Sequence, residues 1–117
     1  MGTLASATAA GRSIVVLDVP WSCYSKTAVG ILERAKDQLE QLGVTIAIVD
    51  EESADVRDWL NERKIESLGG MDARGAGSFI WLEKGDVVDL EVGGHGLSLH
   101  ELLVRTRERW GAKDGGT

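Results

Sequence analysis

The stretch PWSCYSK, Pro20 to Lys26, stands between two patterns of different period. Before it, SIVVLDV (Ser13 to Val19) is short and dense in β-branched residues, the composition of a strand buried on both faces. Pro20 ends that strand, because proline has no N–H to give to a ladder. After it, Ala28, Ile31, Leu32, Ala35, Leu39 and Leu42 recur at helical spacing opposite Glu33, Lys36, Asp37 and Glu40, and Gly43 follows where a helix ends in the left-handed region. PWSCYSK is therefore a strand-to-helix junction, and it holds the chain's one cysteine, Cys23.

Working outward, VTIAIV (Val44 to Val49) reads as a second buried strand, and Ser53 as the cap of a helix with Val56, Trp59 and Leu60 inward, running to about Lys64. SLGGMDARGAG (Ser67 to Gly77) is too glycine-dense for either regular element and reads as a loop. SFIWLEKGDVVDLEV (Ser78 to Val92) reads as a hairpin about an EKGD turn, with Val88, Leu90 and Val92 on one face and Val87, Asp89 and Glu91 on the other. GGHG breaks the strand, and Ser98 with Glu101 makes a capping box for a helix striped by Leu99, Leu102, Leu103, Thr106 and Trp110. The order β-α-β-α-β-β-α predicts an α/β fold: a four-stranded mixed sheet, its first two strands parallel and its hairpin antiparallel, with helices on both faces. Residues 1–12 read as a flexible lead, 13–110 as the single domain and 111–117 as a flexible tail.

Composition narrows the function classes. At 117 residues and 43 % hydrophobic content the chain can build one core without a disulfide. A net charge of −6 repels phosphate backbones and anionic lipid, so neither nucleic acid nor membrane is an expected partner. One cysteine and two histidines cannot supply a four-ligand zinc site, and neither metal nor cofactor is expected. MGTLASATAAGRS lacks the basic and apolar regions of a secretory signal, which leaves a cytoplasmic location as the expectation. Met1-Gly2 with Ser6 fits the loose myristoylation pattern, which is short enough to arise by chance.

From Ile14 to Trp110 the chain resembles the thioredoxin-like family. That family places a Trp, two cysteines spaced C-x-x-C and a Lys directly after its first core strand, and here PWSCYSK holds that place. KTAVGILER resembles the family's helix, with Gly30 where a kinking proline usually stands, and FIWLEKGDVVDLEVGG resembles its hairpin and following glycine turn. Aligned on Trp21 and Lys26, the family's nucleophilic cysteine falls on Ser22 and its resolving cysteine on Ser25, with Cys23 between them. Gly77 stands where the family has a cis-proline. The family's buried acid falls, without gaps, on Val16; Asp18 replaces it only if the loop before Trp21 is two residues shorter.

The resemblance therefore implies the scaffold without the dithiol. The expected function is a non-catalytic protein- or peptide-binding module, its surface formed by Trp21, Ser22, Cys23, Tyr24, Ser25 and Lys26 with Ala76, Gly77 and Ser78, and Gly93, Gly94 and His95. The expected state is a monomer or weak dimer. The alternative is a single-thiol redox or glutathionylated protein acting through Cys23, which a helix N-terminus and Lys26 would favour as thiolate. His95 is either a base for that thiol or a solvated turn residue. Trp21 either is exposed for contact, with Tyr24, or packs on its own loop, while Trp59, Trp81 and Trp110 read as core.

Overall fold

The structure, a computed structural model, describes residues 3–62, 77–93 and 96–110. Its elements are α1 (Leu4–Ala9), β1 (Arg12–Asp18), α2 (Cys23–Gln41), β2 (Thr45–Asp50), α3 (Ala54–Glu62), β3 (Phe79–Glu83), β4 (Asp86–Glu91) and α4 (Leu99–Trp110). The strands form one mixed sheet in the order β2-β1-β3-β4. β1 is parallel to β2, in register Ile14↔Ile46, and antiparallel to β3, in register Ile14↔Trp81. β4 pairs antiparallel with β3. The loop read over residues 67–76, the extension of the third helix to Lys64, and the tail 111–117 lie outside the described residues.

β1 sits between two strands and is buried continuously from Ser13 to Leu17, so its side chains sort by parity into two layers. Ile14 and Val16 join Phe79, Trp81, the α2 stripe and Leu102 and Leu103 of α4. Val15 and Leu17 join Ile80, Leu82, Ala7 of α1, and Val56, Trp59 and Leu60 of α3. The expected stripe of α2 is buried at Ala28, Ile31, Leu32, Ala35 and Leu39, and Gly43 ends the helix at φ +79°. The α4 capping box also forms: Ser98 N–H donates to Glu101 Oε1 at 2.9 Å and Glu101 N–H to Ser98 Oγ at 3.0 Å. These bonds hold the Glu101 carboxyl below its ordinary pKa.

Four local readings of the sequence need correction. Residues 4–9, read as part of a flexible lead, form α1, capped reciprocally by Thr3 and Ser6. The helix is too short to announce itself by periodicity; it is held because Ala7 buries on the sheet and Ser13 Oγ donates to the Ala7 carbonyl at 2.9 Å. Ser6, which completes the myristoylation pattern, is thereby engaged in a cap. At the start of α3 the Ser53 carbonyl accepts from Arg57 N–H, but its hydroxyl donates to the Asp50 carbonyl at 2.8 Å instead of capping the helix. Trp110 is half-buried at the rim, its Nε1 donating to Glu83 Oε1 at 3.1 Å.

The fourth correction concerns the hairpin. Its turn uses φ +53° at Lys84 and +85° at Gly85, the positive values a tight hairpin needs. Trp81 then pairs with Asp89 and Leu82 with Val87, so Val88 is an extra residue, a β-bulge. The bulge breaks the expected alternation: Val88 packs against the α2–α4 layer, whereas Val87 and Leu90 pack against the α1–α3 layer.

The bulge also turns Asp89 and Glu91 toward α4, where Arg105 meets both. Its Nε and Nη2 donate to Asp89 Oδ2 and Oδ1 at 3.0 and 2.8 Å, and its Nη1 donates to Glu91 Oε1. The guanidinium lies 4.7 Å from the Trp81 ring centroid, a cation–π position. The bond from Arg105 is the main cause that lowers the Asp89 pKa, and the same carboxylates raise that of Arg105.

Two predictions follow from this packing. Trp81 Nε1 donates to Thr106 Oγ1 at 3.0 Å inside the core, so Thr106→Val should lower the unfolding free energy by about 1–3 kcal/mol in urea titration, the range for a buried donor left unpaired. Because the folded-state pKa of Asp89 is depressed, its stabilisation is complete above the unfolded value near 3.8 and is lost as pH falls through the lower folded value. Melting temperature followed below about pH 4.5 should therefore fall less steeply in Asp89→Asn than in the unsubstituted chain.

Candidate functional site

The junction quoted at the outset is built from the end of β1. The chain leaves Asp18 through Val19 and Pro20 and closes a turn, Ser22 N–H to the Val19 carbonyl at 3.4 Å. Ser22 then caps α2, its hydroxyl accepting from Ser25 N–H at 3.2 Å, as a serine at this position favours. Both serines are buried, Ser25 completely. The Ser25 hydroxyl accepts from Val19 N–H at 3.2 Å and donates its single proton to Asp18 Oδ1 at 2.9 Å, with the Val19 and Ser22 carbonyls just beyond. The other Asp18 oxygen takes Lys26 Nζ at 2.9 Å. Lys26 is half exposed, so this ion pair contributes under about 1 kcal/mol and serves mainly to orient the carboxylate.

Asp18 is the residue that sequence reasoning set aside. Val16, the gap-free position for an acid, packs in the core beside Phe79. The carboxylate that meets position 25 is Asp18, because the turn between β1 and Trp21 is short. A lone carboxylate closing an otherwise apolar strand was the available signal.

The remaining residues divide between an inner and an outer side. Trp21 and Tyr24 are 62 % and 56 % exposed, which decides between the two readings of Trp21 in favour of exposure. Trp21 Nε1 donates to Glu52 Oε2 at 3.3 Å, tying the junction to the loop after β2. Cys23, the first residue of α2, is exposed, and its carbonyl accepts from Thr27 Oγ1 at 2.9 Å. Gly77 packs on the inner side. At φ +76°, a Cβ there would stand 2.8 Å from Ser25 Cα and 2.9 Å from the Tyr24 carbonyl. Beside it Ser78 is buried, its carbonyl accepting from Leu17 N–H at 3.0 Å. The registers Val16↔Phe79 and Phe79↔Glu91 put Gly93 at this same end of the sheet, two strands from β1. Ala76, Gly94 and His95 lie outside the described residues.

No family model and no curated protein sequence matches the chain. Its backbone does match solved structures. One is thioredoxin O2 from Arabidopsis thaliana in its oxidized state, with a TM-score of 0.63 and 11 % identity, covering 94 % of this chain and 91 % of that one. Another is the thioredoxin of Fasciola hepatica, with a TM-score of 0.58 and 18 % identity, covering 87 % of this chain and 86 % of that one. The chain thus has the thioredoxin fold, as its element order and junction suggested. Within that fold it carries a single cysteine.

The arrangement has little capacity for nucleophilic chemistry at the serines. Ser22 is committed to a helix cap, and Ser25 is sealed beneath Gly77 with its proton engaged. Gly77→Ala should cost at least about 2 kcal/mol in chemical denaturation, since a left-handed alanine costs about 1–2 kcal/mol and its Cβ also overlaps backbone. Unchanged stability would mean that the turn is not seated on α2.

Proposed function

We propose that this chain is a thioredoxin-fold binding module that holds an extended protein or peptide segment at the start of α2 and does not turn over disulfides. The observation that carries the reading is the division of the junction: both aligned cysteine positions are buried serines, while the aromatic rings beside them face solvent. Exposed Trp and Tyr supply large contact area at low entropic cost, and rings of this kind anchor protein contacts. An extended segment lying across this end of the sheet could meet Trp21, Tyr24 and the turn at Gly77 and Ser78 together. A cytoplasmic setting, in which the exposed Cys23 thiol stays reduced, is part of the same reading.

A second reading is favoured by one observation, the exposure of Cys23 on the first turn of α2. There the Cys23 thiolate could attack the disulfide of oxidised glutathione, forming a mixed disulfide and releasing one glutathione thiolate, and the protein would act through that adduct.

Selection of a displayed random-peptide library on the unsubstituted chain tests the first reading. Recovered peptides should bind Trp21→Ala/Tyr24→Ala at least about tenfold more weakly, the effect of removing central aromatic anchors, while Cys23→Ser should bind them equally well. Peptides indifferent to both rings would place recognition elsewhere and defeat the proposal. Binding lost in Cys23→Ser would move the function to the thiol.

A further inference from the structure

β4 is an edge strand and rich in strand-forming residues, with Val87, Val88 and Leu90 followed by an exposed Val92. Such an edge is a template for a second chain unless something blunts it. Which of its main-chain groups face outward follows from the ladder. Leu17 N–H donates to the Ser78 carbonyl, and Lys84 N–H donates to the Gly11 carbonyl at 2.9 Å. Along β3 and its two flanking residues, the main-chain groups that point at β1 are therefore those of Ser78, Ile80, Leu82 and Lys84, and those of Phe79 and Trp81 point at β4. Ile80 and Leu90 are opposite each other, so theirs is a non-hydrogen-bonded pair, and the N–H and C=O of Leu90 point away from the sheet.

Both of those outward groups are occupied. Leu90 N–H donates to Asp89 Oδ1 at 2.8 Å, and the Leu90 carbonyl accepts from Arg105 Nη2 at 3.0 Å. The same Nη2 bonds Asp89 Oδ1, so one carboxylate and one guanidinium close over the main-chain pair that an added strand would use. The bulge at Val88 disrupts the ladder on the turn side of this point.

We propose that Asp89 and Arg105 are an edge guard, whose removal lets a second copy of this chain add its β4 antiparallel to this one. The occupant is a second copy because a twofold axis beside Leu90 brings the same outward pair, flanked by the same valines, against itself. On this reading the ion pair has a role besides stability: it limits what can pair with the β4 edge of the sheet.

The variant Asp89→Val/Arg105→Leu replaces the guard by apolar residues, a strand former in β4 and a helix former in α4. Sedimentation velocity between about 10 and about 300 μM should show it at least half dimeric near 100 μM, well above the unsubstituted chain. Adding Leu90→Pro, which removes the outward N–H, should return it to the unsubstituted chain's state. Association unchanged in the first variant, or persisting in the second, would overturn the proposal. Should the first variant fail to fold, hydrogen exchange on the unsubstituted chain decides: the Leu90 amide should exchange at least about tenfold slower than its chemical rate, and exchange at that rate means that no guard exists.

Discussion

The hydroxyl of Ser25 joins the end of β1 to the first turn of α2, and the local architecture depends on that bond. β1 cannot slide, because it is paired on both sides and buried on both faces. Asp18 and Val19 are consequently fixed points, and α2 begins where Ser25 can reach the Val19 N–H and the Asp18 carboxylate at once. With α2 pinned there, Gly77 lies so near it that a Cβ at position 77 would stand 2.8 Å from Ser25 Cα, so no side chain fits without a shift of the backbone. A small buried polar residue at 25 and a left-handed glycine at 77 are thus two sides of one constraint.

That constraint separates scaffold from chemistry. A thiol at position 25 would be a latent nucleophile, since a thiol loses its proton near neutral pH when suitably placed. A serine in the same place keeps its proton and spends it on Asp18. The carboxylate in turn orients Lys26 at the surface. What the junction still offers outward is shape and apolar area, Trp21 and Tyr24 on either side of an exposed Cys23. Three acidic side chains at this end of the sheet have local bonding roles: Asp18 accepts from Ser25 Oγ, Asp50 from Glu52 N–H, and Glu52 from Trp21 Nε1.

The legible part of the fold is the part governed by periodicity. The run before Pro20, the α2 stripe with Gly43, and the Ser98–Glu101 box each encode their structure within a few residues, and the order of elements supplies the sheet. The rest depends on partners distant in sequence. α1 is only six residues long and is held on the sheet by Leu4, Ala7 and the Ser13 hydroxyl of β1. The bulge at Val88 shifts faces within a strand whose valines would satisfy either register, and it is fixed by Arg105, 17 residues away in α4. Trp110 has the spacing of a core residue but reaches the rim, where its N–H finds Glu83. At the site, the positions of Ser22 and Ser25 are readable from the junction motif and that of Gly77 from the stretch before the hairpin, whereas the role of Asp18 is hidden by a short turn that no single sequence reveals.

The most direct test of the account is the rate at which the chain accelerates reduction of a protein disulfide by a small dithiol, compared with the same rate for Cys23→Ser. A scaffold whose exchange positions are both serine predicts that the two proteins give the same uncatalysed rate. Turnover by the unsubstituted chain that disappears with the Cys23 sulfur would contradict it, and would make the exposed thiol the working group of this fold.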